Sequence, residues 1–397
     1  MPLRKNRTFA AYLLCAGLAD TGFWIYYIAQ GWLVLQLTNS PFWLGVVAGC
    51  GQLPYLLFSF LGGSLADRFE RRILIAVGNA LLVLVAIVTA LLIARGLMTI
   101  PLLSILAFAI GTVIALEHPI DRAWLYDIVA GEELGRAIAL SSLEWSVART
   151  VGPAIGGISI VAIGIASGFG AFALSLVPMI VLALLALKRH VAATRAEANE
   201  ADCTEATPTI SLESIIVPFS LLVASFTIGI SPYITLLPDI SKNILHLDAR
   251  GYGVLSGAAG AGAVVGAIVL TTIGNVRDKG RMIPLAMFLG AALLVAFTYA
   301  RTPIAAAVLL FFMGAVDTLM YALANTYVQE CAGDNERGRA NGYFSLAFLG
   351  GIPIGNLIIG ALAARIGSES ALAITATFAA LACAVFWLGA PRAREAA

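Results

Sequence analysis

The sequence predicts an all-α membrane protein in which twelve transmembrane helices form two pseudo-symmetric six-helix bundles. Three observations indicate this fold: an apolar composition, twelve apolar runs that are long enough to cross a bilayer, and an internal repeat. Hydrophobic residues make up 60% of the 397 residues and charged residues 12%, whereas soluble domains average about 45–50% and about 25%. With a mean hydropathy of +0.92, this composition excludes a soluble enzyme, a nucleic-acid binder and a disordered protein.

Charge clusters and glycine or proline turns divide the chain into runs of the length that a spanning helix needs, roughly 17–25 predominantly apolar residues. The predicted spans, numbered 1 to 12 in chain order, are 8–37, 42–64, 73–94, 99–128, 136–163, 167–187, 213–237, 251–274, 282–300, 303–330, 338–363 and 370–389. No signal-peptide cleavage site interrupts the first run, so we expect a membrane span there.

The basic residues predict the orientation of these spans. With a cytoplasmic N-terminus, the inside segments hold seventeen Lys and Arg, the outside loops hold five, and two lie within spans. Because cytoplasmic loops carry an excess of Lys and Arg, we expect a multi-pass protein of a bacterial inner membrane with both termini in the cytoplasm.

The longest polar stretch predicts the domain organisation. It lies between spans 6 and 7 and is rich in Ala, Thr and Glu, a composition typical of a flexible tether. We expect an N-terminal six-helix bundle over residues 1–190, a cytoplasmic linker over 191–212 and a C-terminal six-helix bundle over 213–397.

An internal repeat supports this division. A shift of 203 positions places Gly152 on Gly355 and Gly157 on Gly360, as expected for two related halves. Pairs of glycines four residues apart, which allow helices to approach closely in lipid, recur in every third span and predict tightly packed helix contacts. These pairs are Gly45/Gly49, Gly152/Gly156, Gly253/Gly257, Gly262/Gly266 and Gly351/Gly355.

The segment after span 2, Gly62-Gly-Ser-Leu-Ala-Asp67-Arg68-Phe-Glu-Arg71-Arg72, resembles the signature loop of the major facilitator superfamily. A weaker copy, 274–281, lies between spans 8 and 9. Three further segments resemble the branch of that superfamily that contains enterobactin exporters and macrolide-efflux permeases. They are 32–41, 148–157 and the pair 337–339 with 349–356.

The resemblance implies a secondary transporter that exports a small organic compound, such as a drug, a siderophore or another amphiphilic metabolite, by alternating access and proton antiport. An uptake symporter of the same fold is the alternative, and a non-transporting sensor or a lipid scramblase is the rival from another class. The sequence has no phosphate-binding G-x-x-x-x-G-K-[ST] loop, no catalytic constellation and no metal-ligand spacing. We therefore expect no enzyme and no cofactor, and a monomer whose partners are substrate, protons and lipid.

The signature loop predicts a cytoplasmic gate. Asp67 stands at a cytoplasmic helix end, where it can face the positive N-terminal end of span 11 near Arg337 when the halves close on that side. Arg68, Arg71 and Arg72 are expected to hold the loop at the anionic leaflet. A plain topological anchor is the alternative.

Seven charged residues lie deep within the apolar spans, away from the span ends, where a charge costs at least about 2.5–3.5 kcal/mol unless it is paired or faces water. Depths along antiparallel spans 4 and 5 predict two ion pairs, Arg122 with Glu144 and Glu117 with Arg149, which leave Asp121 as a titratable group. This set is interpreted either as a static salt-bridge network or as a substrate and proton-coupling site.

Asp20 and Asp317 are expected near the midplane, where transporters of this architecture bind their substrates. Polar and aromatic side chains follow each of them and predict a cavity for an amphiphilic organic molecule. The predicted cavity-lining residues are Trp24, Tyr27, Gln30, Tyr321 and Asn325.

Overall fold

The computed structural model describes residues 6–129, 131–186, 212–273, 278–331 and 337–391, and the described part of the chain is helical throughout, without strands. The first half contains α1 (Arg7–Thr38), α2 (Pro41–Arg68), α3 (Arg71–Ala94), α4 (Ile100–Ile128), α5 (Leu134–Ala162) and α6 (Ala166–Ala186). The second half contains α7 (Leu212–Gly229), α8 (Tyr233–Asp239), α9 (Ala249–Ile273), α10 (Lys279–Thr298), α11 (Pro303–Cys331), α12 (Arg337–Ile366) and α13 (Ser368–Gly389). Apart from Leu212, the predicted linker lies outside the described residues.

Eleven candidate membrane spans are present among the described helices, against the twelve that the sequence predicts. The remaining span is α5, whose Arg136, Glu144 and Arg149 lower its hydropathy. Its 29 residues reach about 43 Å, which exceeds the hydrocarbon core of roughly 30 Å. Because α5 packs between α1 and α9, Glu144 and Arg149 are held partly buried against protein, while Arg136 is exposed at the start of the helix.

Span 7 is a broken helix, and the prediction of one continuous helix there is wrong. Helix α7 ends at Gly229, α8 begins at Tyr233, and a π-helical turn, Ile240–Ile244, follows α8. Pro232 has no N–H to continue the ladder, and it disfavours helical geometry at the residue before it. Irregular backbone is tolerated at membrane depth where protein covers it or where it lines a cavity.

The two halves meet along two helix contacts, α2 with α12 and α5 with α9, and both contacts are built on glycine. A Cβ added to Gly45 would lie 2.9 Å from the Cα of Gly360, and one added to Gly253 would lie 3.1 Å from the Cα of Gly157. The other predicted glycine pairs also pack closely against neighbouring helices. The prediction that these glycines mark tight contacts is therefore confirmed.

These inter-half contacts lie toward one end of the molecule, which we call the closed end and which carries residues 38–41 and 244–249. Trp32 stacks on Tyr252 there, with ring centroids 6.2 Å apart. Lys242 donates to the Asn39 side chain at 3.0 Å and, at 3.4 Å, to the Leu35 carbonyl.

The opposite end carries residues 68–71 and 128–134, and we call it the open end. A separate buried apolar cluster lies there and includes Phe9, Ile75 and Trp124, and all of its residues come from the first half. A Cβ added to Gly63 or to Gly135 would meet no atom within 4 Å. Neither of these glycines packs against another helix of the described residues.

Candidate functional site

An ion pair joins the two halves near the middle of the helices. Arg149 of α5 contacts Asp317 of α11, with 3.3 Å between Nη2 and Oδ2, and their side chains are 18% and 22% exposed. Asp317 is the midpoint of α11, fourteen residues from Pro303 and from Cys331. The pair is thus deep in the spanning region, and part of each side chain remains exposed.

Glycines of α9 place these two charges side by side. A Cβ added to Gly260 would lie 2.8 Å from the Cα of Thr150 in α5, and one added to Gly262 would lie 3.0 Å from the Cα of Phe311 in α11. Because α9 has only hydrogen atoms at these points, α5 and α11 both press against it from opposite halves. Arg149 and Asp317 meet beside this contact.

Aromatic side chains surround the ion pair. The guanidinium carbon of Arg149 lies 5.6 Å from the ring centroid of Trp24, within the range of a cation–π interaction. Tyr27 and Tyr233 lie close enough to Arg149 to interact with its charge. Tyr233 is the first residue of α8, so the break in span 7 places it at this site.

Two buried polar atoms at this site form no hydrogen bond of ordinary geometry with the described residues, the indole N–H of Trp24 and the hydroxyl of Tyr233. Trp24 is 9% exposed and Tyr233 is 2% exposed. Buried polar groups in folded proteins nearly all have a partner. These two groups therefore indicate a position where a bound molecule supplies the hydrogen-bond acceptor.

A second group of charges, the carboxyl cluster, consists of Asp20, Glu117, Asp121 and Glu144 in the first half. The carboxyl groups of Asp20 and Glu144 lie within hydrogen-bonding reach of each other. Two carboxyl groups form such a bond only when one of them carries a proton. The pair joins α1 to α5 and can hold one proton between two oxygens.

Neutral groups bind the other two carboxyls of the cluster. Asn79 of α3 donates to Glu117, and Tyr12 of α1 donates to Asp121 at 2.7 Å. Each bond ties α4 to a neighbouring helix. The sequence analysis missed Asn79 and Tyr12, although a lone Asn within the apolar run of α3 was a visible signal.

The predicted ion pairs between spans 4 and 5 are wrong. Glu144 contacts Asp20 instead of Arg122, and Arg149 contacts Asp317 instead of Glu117. Depth alone suggested those partners, but the rotation of each helix about its axis decides which side chains meet. Arg122 is exposed and acts on the cluster through its charge, which reaches Asp121 and Tyr12.

The predicted cavity-lining residues do not all surround one site. Trp24 and Tyr27 lie at the ion pair, with their ring centroids 5.7 Å apart. Gln30 is buried, donates to the Tyr26 hydroxyl at 2.6 Å and lines a small cavity together with Tyr27. Tyr321 is exposed and packs on Phe348, with 4.7 Å between ring centroids.

Asn325 follows Tyr321 by one turn of α11 and accepts a hydrogen bond from Gln329 at 3.3 Å. Tyr321 and Asn325 therefore extend from Asp317 toward the open end, on the second half only.

The predicted gate residues lie at the open end. Arg71 contacts Asp127 at 2.6 Å and also donates to the Ala123 carbonyl at 3.2 Å, so it ties α3 to the end of α4. Asp67 and Arg68 lie in the last turn of α2 and are exposed. Arg72 is partly exposed. The side chain of Arg337 lies outside the described residues. The closing contact between Asp67 and span 11 stays a prediction.

Comparison with solved structures shows the fold. The chain resembles the crystal structure of the nucleoside transporter NupG, with a TM-score of 0.76 at 12% identity, over 96% of this chain and 99% of that one. It also resembles a bacterial homologue of the human lysosomal transporter Spinster in an inward-facing and occupied conformation, with a TM-score of 0.74 at 12% identity, over 98% and 97% of the two chains. The predicted fold class is confirmed.

Curated relatives align along most of the chain. The staphyloferrin A transporter of Staphylococcus aureus is 25% identical over 85% of both chains. The enterobactin exporter EntS of Salmonella typhimurium is 25% identical over 91% of this chain and 87% of that one. The multidrug efflux pump Tap of Mycolicibacterium fortuitum is 27% identical over 98% and 97%.

The family model of transmembrane secretion effectors matches residues 1–396. The chain therefore belongs to the transmembrane secretion effector family of the major facilitator superfamily.

Proposed function

We propose that this protein is a secondary transporter that exports a small amphiphilic organic compound in exchange for protons. The observation that carries the proposal is the inter-half contact. Two glycine-based helix contacts join the halves toward one end, and the partly exposed Arg149–Asp317 pair joins them in the middle. This is the geometry that alternating access around a central site requires.

The bundles that rock against each other are residues 1–190 and 213–397, with 191–212 as the linker. The open end carries the basic segments that the positive-inside rule assigns to the cytoplasm. With both termini cytoplasmic in a bacterial inner membrane, the structure corresponds to the inward-facing state, in which an exporter loads its substrate. The protein works as a monomer, and transport of this kind makes and breaks no covalent bond and needs no cofactor.

The carboxyl cluster is the proposed proton site. Asp20 and Glu144 form a pair that holds a proton when it is singly ionised, and Asp121 and Glu117 extend the cluster along α4. Asp20 lies within electrostatic reach of the other three carboxyls, whereas Arg122 acts on Asp121. Repulsion among the carboxyls favours uptake of a proton. The loss of that proton at the other side of the membrane then completes the exchange.

The relatives support the direction and the type of substrate. EntS is named as an exporter and Tap as an efflux pump. The aromatic rings of Trp24, Tyr27 and Tyr233 around a charged pair suit a molecule with both apolar and polar parts. At the open end, Asp67 faces the start of α12 near Arg337 when the gate closes, while Arg68, Arg71 and Arg72 hold the loop at the leaflet.

Inside-out membrane vesicles with an acidic lumen test this function. A panel of carboxylate, catechol, neutral and cationic aromatic compounds is added outside, and dequenching of a pH-sensitive acridine dye reports proton efflux while accumulation is measured by mass spectrometry. We expect at least one compound to accumulate and to dissipate the gradient, and Asp20→Asn to abolish both effects. The matched control is Glu369→Gln, a carboxyl that pairs with Arg301 at the closed end.

Three results would contradict the proposal. Unchanged gradient-driven transport in both Asp20→Asn and Asp317→Asn removes the assignment of coupling to these carboxyls. Accumulation only in right-side-out vesicles identifies an uptake symporter instead, and the absence of transport for every compound favours a sensor or a scramblase.

A further inference from the structure

The ion pair between the halves leaves most of the hydrogen-bonding capacity of Arg149 unused. A guanidinium carries five N–H donors, and a single contact of 3.3 Å joins it to one oxygen of Asp317. Arginine typically binds a carboxylate through two parallel and shorter bonds. The observed pair is therefore a weak form of the contact that this side chain can make.

The surroundings of Arg149 are rich in donors and poor in acceptors. The indole N–H of Trp24 is buried beside it without a hydrogen bond to any described residue, and the hydroxyl of Tyr233 lies within reach of Arg149 without a hydrogen bond of ordinary geometry. The described acidic group at this site is Asp317, and Tyr27 is engaged with Thr235. A ligand that satisfies these donors must bring acceptor oxygens, and a cationic guanidinium favours oxygens that carry negative charge.

We propose that Arg149 binds an anionic oxygen group, a carboxylate or a similar acid, of an aromatic substrate, and that this group displaces Asp317. The inference rests on the proposed transport function and names the substrate class of the same site. Trp24 contributes the aromatic face, and its N–H and the Tyr233 hydroxyl donate to the substrate oxygens.

The displacement has a mechanical consequence. Arg149 belongs to the first half and Asp317 to the second, so their contact is a link between the halves in the state that is shut at the closed end. An anion that takes the place of Asp317 removes this link. Substrate binding thereby lowers the cost of separating α5 from α11, which the opposite state of the transporter requires.

Matched probes test the inference on the full-length protein in lipid nanodiscs. 2-Naphthoate and 2-naphthamide have the same ring and nearly the same shape, and only the first is an anion. Isothermal titration calorimetry should give binding of 2-naphthoate that is about tenfold tighter or more than binding of 2-naphthamide.

The two partners of the ion pair should respond with opposite signs. Arg149→Gln should weaken 2-naphthoate binding about tenfold or more and leave 2-naphthamide unchanged. Asp317→Asn should strengthen 2-naphthoate binding several-fold, because the competing carboxylate is gone. A static clamp between the halves predicts the same sign for both variants.

Two further variants control for folding and for charge. Arg149→Lys keeps the charge and loses the planar fork, so we expect an intermediate loss. Arg301→Gln breaks an ion pair with Glu369 at the closed end and should leave both probes unaffected. Gel filtration of every variant checks that it is monodisperse.

Three outcomes would overturn the inference: equal affinity of the two probes, weaker 2-naphthoate binding in Asp317→Asn, or no binding of either probe at millimolar concentration. These outcomes are independent of the vesicle experiment. If Arg149→Gln and Asp317→Asn change 2-naphthoate affinity in opposite directions while no gradient-driven transport occurs, the anion site is supported and the proposed proton coupling is wrong. If transport occurs without anion selectivity, the reverse holds.

Discussion

The two helix contacts that join the halves are alike in their backbone and unlike in their side chains. In α2/α12, Gly45 packs on Gly360 and faces the carbonyl of Asn356; in α5/α9, Gly253 packs on Gly157 and faces the carbonyl of Pro153. A shift of 203 positions converts Pro153 to Asn356 as well as Gly157 to Gly360. The same close approach is therefore built twice, once on each side of the molecule.

The charges break this symmetry. At positions 203 residues after Glu144 and Arg149, α12 carries Ala347 and Ile352. The carboxyl cluster belongs to the first half alone, and Asp317 is a charge of the second half that contacts the first half, through Arg149. In the proposed function, the duplicated contacts allow the halves to move, and the charges that occur once bind protons and substrate.

The largest effect is expected from filling the glycine contacts. Gly253→Val and Gly45→Val each insert a branched side chain where a Cβ already overlaps a backbone carbonyl of the other half. We expect both variants to lose transport more than about tenfold, since overpacking costs roughly 1–3 kcal/mol or more. Spin labels at Leu37 and Arg250 should report a longer distance across the closed end in both.

Gly170→Val in α6 is the control for this pair of variants, because a Cβ at Gly170 meets nothing within 4 Å. Transport should be retained there. If only one of Gly253→Val and Gly45→Val loses transport, the two inter-half contacts are not equivalent, and a symmetric rocking motion of the halves is excluded.

The second-largest effect is expected from removing a carboxyl that is present in the first half and absent from the equivalent position of the second. Glu144→Gln should reduce gradient-driven transport about tenfold while downhill exchange of substrate persists, because the Asp20 pair loses the oxygen that takes the proton. Counterflow of labelled substrate without a gradient measures the retained activity.

Moving the carboxyl to the equivalent position of α12, as Glu144→Gln with Ala347→Glu, should not restore coupling, since α12 faces no carboxyl cluster. Restored coupling would show that either half can carry the proton.

The features that repeat were predictable from the sequence, and the features that occur once were not. The apolar runs and the Gly-x-x-x-Gly spacing fix where helices lie and which surfaces pack closely, because both depend on local pattern. The partner of Arg149 depends on how far α5 and α11 approach across α9. The distance between α5 and α11 depends on how three helices from both halves pack together. It cannot be predicted from the depth of each residue along its own helix.

The broken span 7 shows the same limit at a smaller scale. Pro232 and Gly229 were visible signals of an interruption, and hydropathy alone concealed it because residues 215–244 remain apolar throughout. The roles of Asn79 and Tyr12 could not be predicted from the sequence. A polar residue that binds an interior carboxyl has the same sequence pattern as any other single polar residue in a span.

A smaller effect is expected at the closed end, where α1 meets the π-helical turn. Lys242→Ala removes the hydrogen bonds to Asn39 and to the Leu35 carbonyl, worth about 0.5–1.5 kcal/mol each. Since glycine contacts still hold this end, we expect a several-fold shift toward the state that is open there, measured by the same spin-label distance. Arg365→Ala, an exposed cation at the same end, should cause no shift. An equal shift in both variants would assign the effect to surface charge.

The smallest effect compares two aromatic pairs that occupy related places. Tyr12 packs on Trp124 with ring centroids 5.5 Å apart, and Phe219 packs on Tyr327, 203 positions after Trp124, with ring centroids 4.5 Å apart. The hydroxyl of Tyr12 donates to Asp121, whereas Ala324 stands 203 positions after Asp121.

Tyr12→Phe removes one hydrogen bond and keeps the ring, so we expect the free energy of unfolding to fall by about 1 kcal/mol and the melting temperature by about 2–4 °C. Phe219→Tyr adds a hydroxyl in the half that offers it no carboxyl, and this variant should also be destabilised, because an unpaired buried hydroxyl costs about 1–3 kcal/mol. Intrinsic-fluorescence melting at a fixed scan rate measures both. Stabilisation by Phe219→Tyr would mean that the second half contains an acceptor for that hydroxyl, and the polar asymmetry between the halves would then be smaller than the charges indicate.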